Sequence, residues 1–419
     1  MKLNELDLNP VAKIRESTNF TVREIRKVCK TIGPRAAGSE NEDKAQDYIL
    51  ESCAKFADTA EKETFRLSPR AFMAWPWLGA TVEIIAILFY IASAFVPQPL
   101  PTVFRFVALG LTVVILVLIV LEFLLYREVL DPFFRKAQSS NVLLTKKPKG
   151  EVKRRIIFSG HIDSAYEWRF THWGGYKLLR AAIYSALGCL VLCLVLDILT
   201  VAIPFSDGVQ LGFRIAEGVC ILGLCVGFVF DDPKRVVEGA NDDLTGVFSS
   251  IAVLQFMTTN NIEFENTEVV AVSMGSEESG LRGAKALVKA HKFDDVETVF
   301  VATDTIRDME FMGVYHKDMT GMVSLHKSAV ALMLQAAYYA GLELPKMTID
   351  LGATDAAAMM QGGVPSVAFC AMDHSPARYY HTRTDTADNM NIQTIEKGIE
   401  VLIRTALLFD ERGLSSNED

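Results

Sequence analysis

A set of polar side chains in this sequence has the types and spacing that a catalytic metal site requires. The set comprises two imidazoles and five carboxylates, and its members follow strand-like runs or open a helical one: His161, Asp163, Asp242, Glu277, Glu278, Asp304 and His381. Imidazole nitrogen and carboxylate oxygen, without cysteine sulfur, are typical ligands of zinc or another borderline divalent ion. The pattern therefore predicts a catalytic rather than a structural metal site.

Each member of the set also has a purely structural explanation. His161 and Asp163 could share a local hydrogen bond, the Glu277–Glu278 pair could begin a solvated helix, and Asp304 could belong to a turn. Asp242 lies where a helix begins, because Gly239 ends the preceding element, and acidic side chains are favoured there as helix caps. An aspartate held in that place stays ionised, as a metal ligand must be. The joint placement of these residues at element ends favours the metal site.

The elements that must position these residues alternate between short β-branched runs and helical segments. Predicted strands are Glu63–Leu67, Asn141–Leu144, Arg155–Ser159, Glu268–Met274, Val299–Thr303 and Val367–Cys370. Predicted helices are Asn19–Lys30, Asn41–Phe56, an amphipathic Val247–Met257, Gly280–His291, Ser328–Ala340 and Ile392–Phe409. This alternation predicts a three-layer α/β/α fold with a largely parallel central sheet. The carboxyl ends of its strands would bring the polar side chains into one crevice.

Long apolar runs interrupt this soluble pattern. They cover Ala74–Val96, Phe106–Tyr126, Leu178–Ile203 and Leu211–Phe230. Each is about as long as the ~20 residues that cross ~30 Å of hydrocarbon. Runs of this length without a regular polar face argue against buried core helices. We predict four transmembrane helices in two hairpins. Residues Met1–Pro34 are charged and amphipathic, which does not match a cleavable signal peptide.

Charge and cysteine content exclude other classes of protein. The net charge of −9 argues against a nucleic-acid partner, and the sequence contains no P-loop or dinucleotide-binding glycine motif. The seven cysteines have no metal-type spacing, and four of them lie in the third and fourth apolar runs. This pattern is typical of reduced thiols in a cytosol-facing protein.

Several segments together resemble the co-catalytic two-zinc exopeptidases, which include bacterial leucyl aminopeptidase, aminopeptidase Y and glutamate carboxypeptidase. The matching segments are IGPRAAGSE, FSGHIDS, GANDDLTGV, SEESGLRGA, TDT, TDAAAMMQGGVPSVAF and YYHTRTDT, in the order of the family. They cover most of the chain outside the apolar runs. The resemblance implies the zinc-exopeptidase fold with a mixed, largely parallel sheet, here interrupted by two transmembrane hairpins.

The resemblance also implies a role for each polar residue. His161 and Asp304 would bind one zinc ion, Glu278 and His381 the other, and Asp242 would bridge the two. Glu277 would be the general base. Asp163 would orient His161, as metal-bound imidazoles generally require. A water activated by two metals would then attack the peptide bond, with an aminopeptidase favoured over a carboxypeptidase.

The sequence departs from the family pattern at two positions and leaves other functions open. Asp243 stands where many relatives have Asn, and Ala356 stands where many have His. One alternative is a single-zinc acyltransferase that resembles glutaminyl cyclases, although both His161 and His381 are present. A second alternative is a membrane receptor or scaffold with an inherited peptidase fold, although no ligand and no base is missing.

These assignments divide the chain into alternating parts. The catalytic domain comprises residues 1–70, 131–170 and 233–412, the two transmembrane hairpins comprise 71–130 and 171–232, and 413–419 form a disordered tail. Glu83 and Asp197 lie within the apolar runs, where we favour an interhelical structural role over transport. Because the second hairpin begins and ends beside site residues, we expect the crevice to face the membrane. We therefore expect peptide substrates that are hydrophobic or released from membranes.

The distribution of basic residues predicts which side of the membrane the domain occupies. Eleven basic residues flank the predicted spans on the domain side, against two in the connecting loops: Lys62, Arg66, Arg70, Arg127, Arg135, Lys136, Arg169, Lys177, Arg180, Lys234 and Arg235 against Arg105 and Arg214. Basic residues accumulate on the cytoplasmic side of membrane proteins. We therefore predict a multi-pass protein whose catalytic domain and both termini are cytoplasmic.

Overall fold

A computed structural model of the chain describes residues 10–373 and 378–414. It divides the chain into two compact units. The first unit comprises Met1–Pro69, Arg135–Tyr166 and Arg235–Asp419, and the second comprises Arg70–Phe134 and Glu167–Lys234. Both units are discontinuous in sequence because two insertions of the second unit interrupt the first.

The strands in chain order are β1 (Thr59–Leu67), β2 (Ala137–Lys146), β3 (Arg154–His161), β4 (Tyr166–Trp168), β5 (Asp231–Val236), β6 (Thr267–Met274), β7 (Glu297–Ile306), β8 (Met312–Asp318), β9 (Val323–Ser324), β10 (Lys346–Thr348) and β11 (Ser366–Ala371). The helices are α1 (Pro10–Thr31), α2 (Glu40–Cys53), α3 (Trp75–Ala92), α4 (Leu100–Ile119), α5 (Arg169–Ala202), α6 (Asp207–Leu224), α7 (Thr245–Thr259), α8 (Arg282–Ala290), α9 (Lys327–Tyr339), α10 (Asp355–Gln361) and α11 (Ile392–Arg412).

The first unit is built on a nine-stranded sheet in the order β1-β2-β6-β3-β7-β11-β8-β10, with β9 paired to β8. Its four central strands, β6, β3, β7 and β11, are parallel, whereas β1, β2 and β8 join antiparallel neighbours. The central strands are almost continuously buried, as strands covered by helices on both faces must be. This mixed, largely parallel sheet confirms the predicted fold class.

Helices cover the sheet in two groups. Helix α7 packs against β3, β6 and β7, and α1 and α11 pack against α7. Helices α2, α8 and α10 form the other group, in which α2 and α8 contact β2 and α10 contacts β11. The amphipathic pattern predicted for Val247–Met257 is wrong, since every residue of α7 from Thr245 to Met257 is buried. The reason is that α7 lies between the sheet and two further helices and has no solvent face.

The predicted strands and long helices are present, but several short or peripheral elements were missed. Strands β8 and β10 lie towards one edge of the sheet. The sequence of β8, MGVYHKD, mixes apolar and polar residues, and β10 has only three residues, so neither forms a continuous apolar run. Helix α10 has only seven residues, too few for a helical period to emerge. Helix α1 begins at Pro10, nine residues before the predicted start at Asn19.

The first insertion leaves and rejoins the sheet between two paired strands. Strands β1 and β2 are antiparallel over their whole length, and Leu67 at the end of β1 pairs with Ala137 at the start of β2. The insertion therefore occupies the position that a tight turn has in an ordinary β-hairpin.

The second unit consists mainly of α3, α4, α5 and α6, with α3 packed on α4 and α6, and α5 packed on α4 and α6. All four helices are long and apolar enough to cross a membrane, by length and composition. They expose large apolar side chains such as Phe106, Val219 and Leu222. Helix α5 begins before the predicted Leu178 and contains a break at Gly174 and Gly175, where Gly175 has a φ of +61°. Only glycine adopts that conformation readily.

The start of the expected disordered tail is packed against the first unit. The Leu414 amide donates a hydrogen bond to Glu297 Oε1 at 2.8 Å, and the Leu414 side chain is buried. The remaining residues of that predicted tail, 415–419, lie outside the described residues.

Candidate metal centre

The polar residues singled out in the sequence lie together at the carboxyl ends of the parallel strands. His161 is the last residue of β3, Asp304 lies near the end of β7, and Glu277 and Glu278 follow β6. His381 follows β11, and Asp242 precedes α7. All six positions are buried or half-buried. The parallel order β6-β3-β7-β11 is what brings residues so distant in sequence to one edge of the sheet.

Asp242 lies between the two imidazoles. Its Oδ1 is 3.2 Å from His161 Nε2, and its Oδ2 is 3.2 Å from His381 Nε2. The backbone at Asp242 is not helical, with φ −112° and ψ 88°. The residue therefore projects into the site from a distorted turn rather than capping α7 in the ordinary way.

Within this region, the side chains that could bind a metal ion make up three groups of three residues. One group contains Asp242, Glu278 and His381, and its ligand atoms lie within 4.8 Å of one another. Glu278 Oε1 is 3.1 Å from His381 Nε2. A second group contains His161, Asp243 and Asp304 within the same limit, and a third contains His161, Glu277 and Glu278. The groups overlap, because His161 belongs to two of them and Glu278 to two. Asp242 contacts both imidazoles and so connects them.

Asp163 has more partners than the sequence indicated. Its carboxylate accepts hydrogen bonds from the Glu277 amide at 2.9 Å and the Glu278 amide at 3.1 Å. His161 Nδ1 lies 3.1 Å from the Asp163 backbone carbonyl and 3.4 Å from the carboxylate Oδ1. The residue therefore orients His161 mainly through its backbone while its carboxylate fixes the turn that carries Glu277 and Glu278.

Asp243 is a site residue whose role the sequence did not reveal. It is fully buried, and its carboxylate accepts hydrogen bonds from the amides of His161 at 3.0 Å, Gly246 at 2.8 Å and Thr305 at 2.9 Å. It thereby joins β3, α7 and β7 beneath the ligands. Gly160 makes this possible, because a Cβ there would lie 2.2 Å from the Val247 backbone nitrogen and 2.8 Å from Asp243 Oδ2.

Asp385 is the second missed residue. Its carboxylate accepts hydrogen bonds from the Asn241 amide at 2.8 Å, the Asn241 side-chain nitrogen at 2.7 Å and the Asp242 amide at 3.1 Å. Asp385 is fully buried and follows His381 in the same loop, so one segment supplies a ligand and fixes the backbone of another. A sequence signal existed in the run YYHTRTDT, but nothing in it identifies Asn241 and Asp242 as partners.

Arg35, in the IGPRAAGSE segment, holds the backbone on either side of the second insertion. This fully buried guanidinium donates only to backbone carbonyls: Ile162 at 2.7 Å, Gly33 at 2.9 Å, Glu238 at 2.9 Å and Gly239 at 3.0 Å. Directly beside it, the Val237 amide donates to the Ala165 carbonyl at 2.9 Å. The segments that carry His161 and Asp242 are thus fastened together.

The tyrosines before His381 differ in their contacts. The Tyr379 hydroxyl donates to Asp308 Oδ2 at 2.7 Å, whereas the Tyr380 ring stacks on His381 with 3.9 Å between ring centroids. A cavity beside the ligands is lined by residues that include Glu277, Asp304, Thr354 and Asp355. Tyr380 therefore fixes the plane of a predicted ligand, and Asp355 faces the same space as the predicted base.

Burial and mutual repulsion shift the pKa values of the carboxyls. Burial, together with the charges of Glu278 and Asp355, raises the pKa of Glu277 well above its ordinary value despite the opposing effect of His161. Burial and the charge of Asp242 raise the pKa of Asp304 to about 7. Burial acts in the same direction on Asp242, but hydrogen bonds from His161 and His381 outweigh it and lower the pKa of that carboxyl. The site thus concentrates negative charge that a cation would stabilise.

The donor set fits zinc. Asp242 Oδ2 and Glu278 Oε1 are buried, and both lie within 3.2 Å of the same nitrogen, His381 Nε2. A bound cation would satisfy oxygen and nitrogen atoms that converge in this way. Two imidazoles with several carboxylates and no cysteine match catalytic rather than structural zinc sites.

Part of the chain matches a known protein family. Residues 228–406 match the model of Peptidase family M28. Among curated proteins, no sequence is significantly similar to the chain.

Similar folds occur in solved structures. They include BSAP, a zinc aminopeptidase from Bacillus subtilis, at 13% identity and a TM-score of 0.53, covering 94% of this chain and 95% of that one. An aminopeptidase from Aneurinibacillus sp. strain AM-1 shares 14% identity at a TM-score of 0.52, with 94% and 93% covered. A glutaminyl cyclase from Fimbriiglobus ruber shares 13% identity at 0.53, with 93% and 95% covered.

Proposed function

We propose that this chain, which contains a Peptidase family M28 domain and so confirms the predicted resemblance, is a membrane-anchored zinc exopeptidase, specifically an aminopeptidase. The observation that carries the proposal is the position of Asp242, whose two carboxylate oxygens each lie 3.2 Å from a different imidazole. A carboxylate between two imidazoles, each with further carboxylates beside it, is an arrangement suited to a pair of divalent cations.

In this proposal the chain supplies ligands for two zinc ions. His161 and Asp304 would hold one, Glu278 and His381 the other, and Asp242 would contact both. When bound, zinc would lower the pKa of a water molecule towards ~7 and polarise the scissile carbonyl. Asp163, Asp243 and Asp385 would keep the ligands in place through the backbone amides that they accept.

Glu277 would act as the general base. It is buried, its Oε2 is 3.9 Å from His161 Nε2, and its amide is fixed by Asp163. The carboxylate would accept a proton from the attacking water and return it to the leaving amine, a contribution of roughly 10²–10⁴-fold to the rate.

We propose peptide substrates with a free amino terminus, and among them hydrophobic or membrane-released peptides. The net charge of −9 disfavours nucleic acids. A free ammonium group would interact favourably with the surplus carboxylates of the site, of which Asp355 and Glu277 line the cavity.

The test combines metal analysis with matched substrates. The purified full chain should contain about two zinc ions, as expected for a two-metal site, and should hydrolyse an unblocked aminoacyl reporter but not its N-acetylated form. Preference for the blocked form, with a free carboxyl terminus required, would overturn the aminopeptidase assignment. Absence of hydrolysis on a broad panel, at full metal occupancy, would overturn the peptidase itself.

A glutaminyl cyclase is the second candidate, because one from Fimbriiglobus ruber shares the fold. This function requires an amino-terminal glutamine and releases ammonia without hydrolysing a peptide bond. Incubation of the chain with Gln-peptides, followed by mass spectrometry, separates the two. A decrease of about 17 mass units, the mass of ammonia, would favour the cyclase. A shortened peptide would favour the peptidase.

We further propose that α3, α4, α5 and α6 cross a membrane and that the first unit and both termini are cytoplasmic. The support is the length and apolarity of the four helices and the excess of basic residues on the domain side. In a cysteine-free background, a single cysteine near Gln98 should react with an impermeant reagent on intact cells, and one near Gly413 should not. The opposite labelling pattern would place the first unit outside.

A further inference from the structure

Three of the buried carboxylates in the four-helix unit lie within its helices α3, α5 and α6. Glu83 on α3, Asp197 on α5 and Glu217 on α6 are each at most 2% exposed. One oxygen of each has no hydrogen-bond donor: Glu83 Oε2, Asp197 Oδ1 and Glu217 Oε1. An isolated carboxylate in an apolar interior costs several kcal/mol. Three such groups therefore require positive charge from outside the chain.

The other oxygens of Glu83 and Asp197 meet at one hydroxyl. Thr112 Oγ1 on α4 is 3.3 Å from Glu83 Oε1 and 2.9 Å from Asp197 Oδ2, and also 3.2 Å from the Ala108 carbonyl. A threonine hydroxyl has one proton, so it can donate to only one of these three acceptors. A second close contact between oxygens is favourable only if one of the carboxyls brings its own proton.

Among the described residues, no basic side chain forms a salt bridge with these acids. Within residues 10–373 and 378–414, no Lys, Arg or His lies within salt-bridge distance of Glu83, Asp197 or Glu217. None of the three belongs to any group of converging metal-type ligands, all of which lie in the first unit as far as it is described. The arrangement thus differs from a site for a divalent metal and matches one for protons.

A polar route leads from the connecting-loop end of the unit towards these acids. Arg105 Nη2 donates to Gln210 Oε1 at 2.6 Å, and Arg214 Nη2 donates to the same oxygen at 3.2 Å and to Ser93 Oγ at 3.3 Å. Both arginines are partly exposed. Glu217 follows Arg214 by three positions on α6, so the two lie on one face of the helix. Polar groups thus continue from the exposed loop end to Glu217.

We propose that the four-helix unit contains an exchangeable proton site, in which Glu83 and Asp197 share a proton through Thr112, and which fills from the loop end by way of Glu217. One carboxyl O–H donates to Thr112 Oγ1, and the Thr112 O–H donates to the other carboxylate. The pair then carries one negative charge instead of two. Its proton comes from bulk water and returns there, so no other reactant is needed.

The groups that face this pair come from all four helices. They are Tyr90 on α3, Thr112 on α4, Cys193 on α5 and Glu217 on α6. Behind them, Arg105 and Arg214 lie near Tyr90, Arg214 also lies near Glu217, and Cys220 lies near Cys193. The thiols are weak donors and bring no charge when protonated. The inference depends only on the interior of this unit and does not require the proposed peptidase activity.

Infrared difference spectroscopy on the full chain in lipid nanodiscs, between acidic and alkaline buffer, tests the site. We expect a carbonyl band from a buried protonated carboxyl that shifts in heavy water. The band should be lost in the double variant Glu83→Gln, Asp197→Asn and retained in Asp207→Asn, a matched change at an exposed position of α6. Absence of the band from the unaltered chain, or its persistence in the double variant, would overturn the proposal.

Substitution of Thr112 keeps the test decisive if the double variant does not fold. Thr112→Ser retains the bridging hydroxyl and should leave the band in place, whereas Thr112→Val should shift it. Equal spectra for these two variants would overturn the shared-proton arrangement. Titration with Na⁺ at constant pH provides a further control, and bleaching of the band by Na⁺ would assign the site to an alkali cation instead.

Discussion

Both units of this protein bury carboxylates, but the hydrogen bonds that these carboxylates accept differ between the units. In the first unit Asp163, Asp243 and Asp385 are fully buried, and each accepts two or three hydrogen bonds, mostly from backbone amides. In the four-helix unit Glu83 and Asp197 share one threonine hydroxyl. Burial alone therefore does not determine what a carboxylate does.

The difference follows from the backbone around each group. Loops after β-strands have amides with no partner in the sheet, and these are free to donate to a side chain. Inside a helix every amide is already bonded to the carbonyl four residues before it. The first unit can thus use some carboxylates as fixed supports and leave others, such as Asp242 and Glu278, for a cation. Glu83 and Asp197, inside helices of the four-helix unit, have no such supply of donors. Glu122 in the same unit does, because it accepts hydrogen bonds from the Val129 and Leu130 amides in the segment that follows α4.

The largest effect on activity is expected from the loss of a carboxylate that, in our proposal, acts directly on the reaction. Glu277→Gln should lower kcat by at least about 10²-fold, because the proton acceptor is removed while the proposed ligands remain. Stopped assays with metal analysis of the same sample provide the measurement. Glu310→Gln, at an exposed position, is the matched control. Near-normal turnover at full metal content would contradict the assigned base.

Loss of the shared carboxylate should act on metal binding instead. Asp242→Asn removes the charge that contacts both imidazoles, so metal affinity should fall by more than about 100-fold, above the usual effect of supporting residues. Equilibrium dialysis against a zinc buffer measures it, with the exposed Asp388→Asn as control. Unchanged retention of zinc would show that Asp242 is a structural turn residue.

A supporting carboxylate should have an intermediate effect. Asp385→Asn keeps the size of the side chain but weakens its hydrogen bonds to Asn241 and Asp242, so metal affinity should fall by about 10–100-fold. The same dialysis measures the change, and circular dichroism checks that the fold is retained. If Asp385→Asn bound zinc as tightly as the unaltered chain, the amides of Asn241 and Asp242 would not depend on this support.

The smallest effect on peptide hydrolysis is expected from substitutions in the four-helix unit. Glu83→Gln combined with Asp197→Asn should leave kcat/KM within about twofold, because groups that share no partners act independently. Peptide hydrolysis in nanodiscs tests this, with Glu277→Gln as the positive control for loss. A large decrease in kcat/KM in the double variant would show that the two units are coupled and would contradict this prediction.

Sequence alone predicted the parts of the site that follow local rules. Buried strands such as β3 and β7 have a recognisable apolar run, and polar residues after them are therefore visible as candidates. His161 and Asp304 were identified in this way, and the family resemblance supplied their roles. The parallel arrangement of the central strands then brought them together.

The residues that sequence missed depend on contacts between distant segments. Asp385 supports Asn241 and Asp242 from 144 and 143 positions away, and no local pattern indicates such a pairing. Asp243 was noted only as a departure from Asn, although it joins three elements beneath the ligands. Strands β8 and β10 were not predicted because β8 mixes apolar and polar residues and β10 is only three residues long, so neither has the apolar run of the central strands.

The connections of the two insertions have a consequence for how this chain could be edited. The first insertion departs between Leu67 and Ala137, which are paired across two strands, and the second departs where the Val237 amide meets the Ala165 carbonyl at 2.9 Å. In each case the two ends already lie side by side, so the closure entropy of a short linker is small. We therefore expect that either insertion could be replaced by a tight turn. The strand register and the hydrogen bonds of Arg35 would remain unchanged.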